Sequence, residues 1–144
     1  MIQEEKDVLI RDLSARQPFG VKVVCTSDSD HNWYNLELID IKDDEVYIST
    51  FEPHYTNKYA SIESIKPYLF PLSSMTEDQF EEFSLISGWD VDIEDVRRGK
   101  FSCVGYIGFD CLYDAVDWFN KNHFDWRGLI PMKIAIDCTN LNIY

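Results

Sequence analysis

The chain has 144 residues, a formal net charge of −13 and an aromatic content of 15%. This length suits one domain, and so many aromatic side chains exclude an intrinsically disordered chain. The acidic residues are spread evenly, and the one tight basic group, residues 97–100, follows an acidic run. Because nucleic acids and anionic membranes are bound by clustered Lys and Arg, we predict neither as a direct partner.

The first predicted element is an N-terminal helix over residues 4–15. It begins with acidic side chains, which suit a helix N-terminus. Leu9, Ile10 and Leu13 form an apolar stripe at helical spacing. Residues 16–20, which include a proline and a glycine, end the helix.

Short strands are predicted next. Three segments alternate apolar and polar side chains: residues 21–26, 35–41 and 45–51. The polar turn at 42–44 joins the last two as a hairpin, and residues 59–65 return toward the core. We predict a small twisted antiparallel sheet or an SH3-like partial barrel over about residues 21–65.

A central helix is predicted over about residues 76–87. Pro67 and Pro71 interrupt regular structure before it. Two capping boxes are possible at its start, because Ser74 has Glu77 three residues later and Thr76 has Gln79. Gly88 suits a left-handed C-terminal cap.

The clearest amphipathic segment predicts a C-terminal helix over about residues 111–122. The face predicted to be buried carries Leu112, Ala115, Val116 and Phe119. A strand is predicted before this helix, at residues 101–109, and a last strand is predicted after it, at residues 132–137.

The predicted fold class is therefore α+β, in a single domain over residues 1–144. Its β-rich half covers about residues 1–72 and its helical half about residues 73–144.

Three segments carry a resemblance to a known group: ARQPFGV at 15–21, SIESIKPYLFPLSSMTEDQ at 61–79 and DAVDWFNKNHFDWRGLI at 114–130. The chain resembles short uncharacterised proteins of gut bacteria and of their phage or prophage-like regions. The resemblance covers about half of the chain. The group has no assigned activity, so the resemblance implies no site residue.

An acidic loop imitates a calcium site but departs from its pattern. Asp28, Asp30 and Asn32 have the spacing of the first three EF-hand ligands. The sixth position is Trp33 instead of glycine, and the twelfth is Ile39 instead of glutamate. We interpret the segment as a solvated loop and predict neither a metal nor another cofactor.

Two groups of residues are candidate binding positions. Aromatic side chains in or beside the loops of the β half could line a peptide-binding groove, namely Trp33, Tyr34, His54 and Tyr55. The turn after the C-terminal helix contributes His123, Asp125 and Trp126. His123 and Asp125 could act as a base and its orienting group, but a histidine that ends a helix is the favoured interpretation.

The cysteines and the N-terminus predict a cytoplasmic protein. Cys25, Cys103, Cys111 and Cys138 form no C-x-x-C pair. The N-terminus is charged from its fourth residue, unlike a secretory signal peptide. Reduced thiols are therefore expected.

These observations favour a non-catalytic, soluble protein-interaction or accessory module of the kind that phage or prophage regions encode, with a protein as its partner. Two alternatives stay open. One is a small enzyme whose site is assembled from residues distant in sequence. The other is an acidic inhibitor that imitates nucleic acid.

Overall fold

The computed structural model describes residues 1–26, 32–49, 58–100 and 109–144. The chain divides into two compact units. The first, the sheet unit, contains Met1–Leu69 and Arg127–Tyr144, and the second, the helical unit, contains Phe70–Trp126.

The described residues form four helices and six strands, an α+β fold as predicted. The helices are α1 (Gln3–Arg16), α2 (Glu77–Ser87), α3 (Ile93–Arg97) and α4 (Phe109–Lys121). The strands are β1 (Lys22–Thr26), β2 (Asn32–Lys42), β3 (Glu45–Ser49), β4 (Lys58–Ser61), β5 (Ile65–Leu69) and β6 (Ile136–Asp137). The predicted N-terminal, central and C-terminal helices are confirmed. The strand predicted at residues 101–109 falls almost wholly outside the described residues.

The sheet is open and has the strand order β4-β3-β2-β1-β5-β6. Strands β1 to β5 pair antiparallel, as predicted, and they are not closed into a barrel. The predicted last strand exists but is only Ile136–Asp137, and it pairs with β5 in parallel. The sheet is therefore mixed, because the chain returns from the helical unit before it adds this edge strand.

Helix α1 and one face of the sheet share the first core. Leu9 and Leu13 of α1 are fully buried in it, as the predicted stripe requires. Successive strand residues point to opposite faces, so alternate positions such as Val46 and Ile48 reach this core. We call this the inner face, and the opposite one the outer face.

Strand β2 contains two bulges that reset which side chains reach each face. The partner of Leu38 is Ile48, but the partner of Tyr47 is Asp40, so Ile39 is an extra residue. A second irregularity lies near Asn35, whose φ is 56°. A bulge puts two residues opposite one and increases the local twist. Ile39 and Asp40 thus both lie opposite Tyr47.

The second core lies between α2 and α4 in the helical unit. The ring of Phe83 is fully buried and lies 4.9 Å from Phe119 and 5.3 Å from Trp118, measured between ring centroids. Helix α2 begins with the second of the two possible capping boxes: the Thr76 hydroxyl accepts the Gln79 N–H, and the Gln79 side chain accepts the Thr76 N–H.

One residue of the predicted α4 face is placed wrongly. Leu112 is 45% exposed, whereas Trp118 is 3% exposed. Cys111, Ala115 and Trp118 follow each other at helical spacing and define the buried stripe. Leu112 is rotated by about 100° from Cys111 and so lies outside that stripe.

The hydroxyl of Tyr144 completes the ladder between β1 and β5. The register pairs Val23 with Pro67, so the next positions outward are Lys22 and Tyr68. The Lys22 N–H donates to the Tyr144 hydroxyl at 3.0 Å, and that hydroxyl donates to the Tyr68 carbonyl at 3.1 Å. Burial of this hydroxyl is the main cause that raises the pKa of Tyr144 well above its ordinary value.

The helical register of α4 can be tested by two substitutions. Phe119→Ala should lower the free energy of unfolding by about 3–5 kcal/mol, because it empties a fully packed site. Asp117→Ala should change it by less than about 0.5 kcal/mol, because Asp117 is exposed. Urea titrations measure both values, and a larger loss for Asp117→Ala would contradict this register.

The Tyr144 hydroxyl, which bridges Lys22 and Tyr68, predicts that stability depends on pH in the alkaline range. A folded-state pKa above the unfolded value means that stability is fully present below about pH 10 and is lost as the pH rises further. Tyr144→Phe should lose about 1–3 kcal/mol at neutral pH, because two hydrogen bonds disappear. The free energy of unfolding of this variant, measured by urea titration, should also fall less steeply than that of the wild type as the pH rises above about 10.

The matched control for this experiment is Tyr113→Phe, because Tyr113 is 68% exposed. Cys138, whose pKa burial raises to about 11, is present in every variant and cancels in the comparison. If the free energy of unfolding fell equally steeply above about pH 10 for Tyr144→Phe and the wild type, the hydrogen bonds of the Tyr144 hydroxyl would not be the source of the pH dependence.

Candidate functional site

Two neighbouring candidates, Trp33 and Tyr34, lie on opposite faces of the sheet. Trp33 is partly buried against the first core, and the Lys58 ammonium lies 5.1 Å from its ring centroid. Tyr34 is 64% exposed, and its hydroxyl accepts a hydrogen bond from Asn32. The two rings therefore do not line a common groove.

The other predicted positions of the β half lie outside the described residues. These are His54 and Tyr55, together with Asp28 and Asp30 of the acidic loop. The binding role of His54 and Tyr55 stays a prediction, and so does the interpretation of Asp28 and Asp30 as part of a solvated loop.

His123 occupies the left-handed position that ends helix α4. Its φ is 58°, a conformation that glycine adopts more easily. The His123 N–H donates to the Asn120 carbonyl, and the Phe124 N–H donates to the Phe119 carbonyl. This pair of bonds is the Schellman arrangement, which satisfies the last carbonyls of a helix.

Backbone hydrogen bonds join His123 and the residues after it to the segment that precedes α2. The Phe70 N–H donates to the His123 carbonyl, and the Asp125 N–H donates to the Phe70 carbonyl. The indole N–H of Trp126 donates to the Asn120 side chain at 2.9 Å. His123 and Asp125 are only 7% and 6% exposed, so a substrate has little access to either side chain.

The outer face presents an aromatic group that the sequence did not single out as a site. Tyr47 on β3 and Tyr59 on β4 are directly paired across the strands, and their ring centroids lie 4.8 Å apart. Tyr59 is 63% exposed, and Ile39 beside Tyr47 is 37% exposed. We call Ile39, Tyr47 and Tyr59 the outer tyrosine patch.

Carboxylates surround the outer tyrosine patch on the same face. Asp40 is opposite Tyr47, Glu45 lies two residues before it on β3, and Glu37 is two residues before Ile39 on β2. All three are exposed. In the described ranges none of them forms an ion pair, although Lys42 lies opposite Glu45.

The alternation of strand β3 was the signal that could have located this patch. Val46 and Ile48 are buried, so Tyr47 between them must point to the other face. The bulge that adds Ile39, and the pairing of Tyr47 with Tyr59, depend on strand register and were not visible in the sequence.

A buried ion cluster is the second electrostatic feature of the sheet unit. The Arg16 guanidinium donates to both carboxylate oxygens of Asp12, at 2.6 and 3.0 Å. Arg127 Nε lies 3.4 Å from Asp12 Oδ1. The side chains of Asp12 and Arg16 are fully buried. Burial lowers the pKa of Arg127, and the Asp12 charge opposes that shift.

This cluster has the geometry of a buried ion-pair network that stabilises the fold. A buried carboxylate must be compensated by charge and hydrogen bonds, and two guanidinium groups provide both. Sequence reasoning missed it because a charged pair four residues apart on a helix is usually exposed.

Metal and thiol chemistry gain no support from the described residues. Among them no group of three His, Cys, Asp or Glu side chains could hold a metal ion. Cys25, Cys111 and Cys138 are free cysteines. Burial raises the pKa of Cys138 to about 11, which makes it a poor nucleophile at neutral pH.

None of the helices in the described ranges has the length and apolar character to span a membrane.

The chain was compared with protein-family models, curated proteins and solved structures, and none of the three comparisons gives a match.

The buried ion cluster predicts a large effect of one substitution. Arg16→Ala removes two hydrogen bonds from a fully buried carboxylate and should lower the free energy of unfolding by about 3–5 kcal/mol. Arg11→Ala, on the exposed side of α1, should change it by less than about 0.5 kcal/mol. Urea titration compares the two, and a loss below 1 kcal/mol for Arg16→Ala would exclude a stabilising role.

Proposed function

We propose that this protein is a non-catalytic interaction module that binds another protein through the outer face of its sheet. The observation that carries the proposal is the outer tyrosine patch. Tyrosines are enriched at protein interfaces because they offer a large, stiff contact area with a polar tip. Here two of them are held side by side on paired strands.

The two faces of the sheet favour the outer one as the binding surface. The inner face is occupied by α1 and by the first core. On β2, β3 and β4 the outer face carries side chains that the described part of the chain leaves open to solvent, with Tyr34 and Tyr59 as its most exposed large apolar residues. The carboxylates around the patch supply the polar rim that is typical of an interface.

The two alternatives have weaker support. An enzyme would need an accessible catalytic group, and the one H-x-D pair of the sequence is buried. An inhibitor that imitates nucleic acid would need a row of negative charges, whereas Tyr47 and Tyr59 interrupt the carboxylates and Lys42 stands among them.

The proposal extends to partner class, origin and location. We propose a protein partner, not nucleic acid, and a cytoplasmic location, for which the free thiols of Cys25, Cys111 and Cys138 are the support. The resemblance to proteins of gut bacteria supports an origin in a phage or prophage region.

A capture experiment with matched variants tests the interaction surface. Wild-type protein, Tyr47→Ala/Tyr59→Ala and the control Tyr113→Ala are immobilised and exposed to host lysate, and retained proteins are identified by mass spectrometry. A true partner should be retained equally by wild type and control, and should be lost on the double variant. The purified partner should then bind with the same dependence in calorimetry.

The single variant Tyr59→Ala is a control in case the double variant misfolds. A residue with a mostly exposed side chain contributes little to the core. It should keep the wild-type urea midpoint and still weaken retention. Equal retention of every protein on wild type and both patch variants would overturn the proposal.

A further inference from the structure

We infer that the outer tyrosine patch receives an arginine side chain from a basic segment of the partner. This inference rests on the proposed function and specifies the partner's chemistry. Three features of the described residues carry it: the aromatic faces of the patch, the neighbouring carboxylates that form no ion pair, and the position of the nearby lysines, none of which lies over Tyr47 or Tyr59.

The two tyrosine rings form a surface suited to a flat cation. Tyr47 and Tyr59 are tilted by 38° with centroids 4.8 Å apart, so they are neighbours without being a closed stack. A cation placed within about 6 Å of an aromatic face is attracted by the ring quadrupole. Side chains on a pleated sheet stand nearly perpendicular to it, so both rings project toward a partner.

The charges around the rings decide which partner fits. Burial of Glu37, Asp40 and Glu45 under an apolar partner would desolvate three carboxylates that have no ion pair in the described part of the chain. That cost is large for ionised groups, and an anionic partner would add repulsion. A cationic side chain removes both penalties, and the net charge of −13 attracts a basic segment from a distance.

The lysines of the described strands leave the two rings of the patch uncovered. Lys42 lies opposite Glu45 on the outer face, but it lies over neither ring. Lys58, the basic residue of β4, lies over the Trp33 ring on the inner side of the sheet. In the described ranges no lysine or arginine lies over Tyr47 or Tyr59. The aromatic faces of the patch are therefore available to a cation from outside.

Arginine fits this combination better than lysine. A guanidinium group is planar and weakly hydrated, so it can stack on a tyrosine ring while its N–H groups donate to a carboxylate. Asp40, opposite Tyr47, and Glu45, two residues along the same strand, provide carboxylates beside the rings. A lysine ammonium is strongly hydrated and makes no flat contact.

Three synthetic pentapeptides test the inference. Each has threonine at its first, third and fifth positions, and the other two positions are arginine, lysine or citrulline. Citrulline has nearly the shape of arginine without its charge. Titration into the ¹⁵N-labelled protein should shift the amide signals of Tyr47 and Tyr59 with the arginine peptide. The lysine peptide should bind about threefold to tenfold more weakly, and the citrulline peptide should not bind measurably.

Variants assign the binding to the patch. Tyr59→Ala and Glu45→Gln should each raise the dissociation constant of the arginine peptide by about threefold or more. The controls are Tyr113→Ala and Glu81→Gln, which change an exposed tyrosine and an exposed glutamate of the helical unit. They should leave the constant unchanged. Added salt should weaken the binding because the carboxylates are exposed.

The outcomes separate this inference from the proposed function. A partner whose capture needs the patch, combined with citrulline or lysine peptides that bind as well as arginine, would overturn the arginine site and leave the interaction surface intact. Equal weakening by the control variants would also overturn it. Loss of patch dependence in the capture experiment would remove the proposed function itself.

Discussion

The ion cluster of Asp12, Arg16 and Arg127 is the constraint on which the sheet unit depends. It is buried at the end of α1, where an uncompensated carboxylate would cost several kcal/mol. Because Arg127 lies far along the sequence, the cluster joins the first helix to the segment that returns to the sheet unit. The orientation of α1 on the inner face is therefore fixed by charge as well as by Leu9 and Leu13.

That arrangement has a consequence for function. With α1 on the inner face, the exposed tyrosines of the described strands β2 and β4 lie on the outer face. The bulge at Ile39 adds a side chain opposite Tyr47, and the pairing of β3 with β4 aligns Tyr47 with Tyr59. A surface built on paired strands is rigid, so a partner meets side chains that are already positioned.

The helical unit shows how a position can look catalytic for a structural reason. His123 and Asp125 are two residues apart in an aromatic turn, which is a pattern that suggests acid–base chemistry. Their backbone groups instead close α4 and join it to Phe70. A non-glycine residue in the left-handed region carries a conformational cost, and here the bonds of the Schellman arrangement offset it.

The sequence alone determined the α+β class, the three longer helices and the antiparallel hairpin, because apolar periodicity and capping residues such as Thr76 act over a few neighbouring positions. It misplaced Leu112, since a shift of one residue in a helical stripe is hard to read from spacing. The tertiary structure decided the parallel edge strand β6, the burial of Arg16 and the alignment of Tyr47 with Tyr59. Each of these depends on contacts between residues far apart in the chain, where strand register, a bulge or a distant counter-charge sets the outcome.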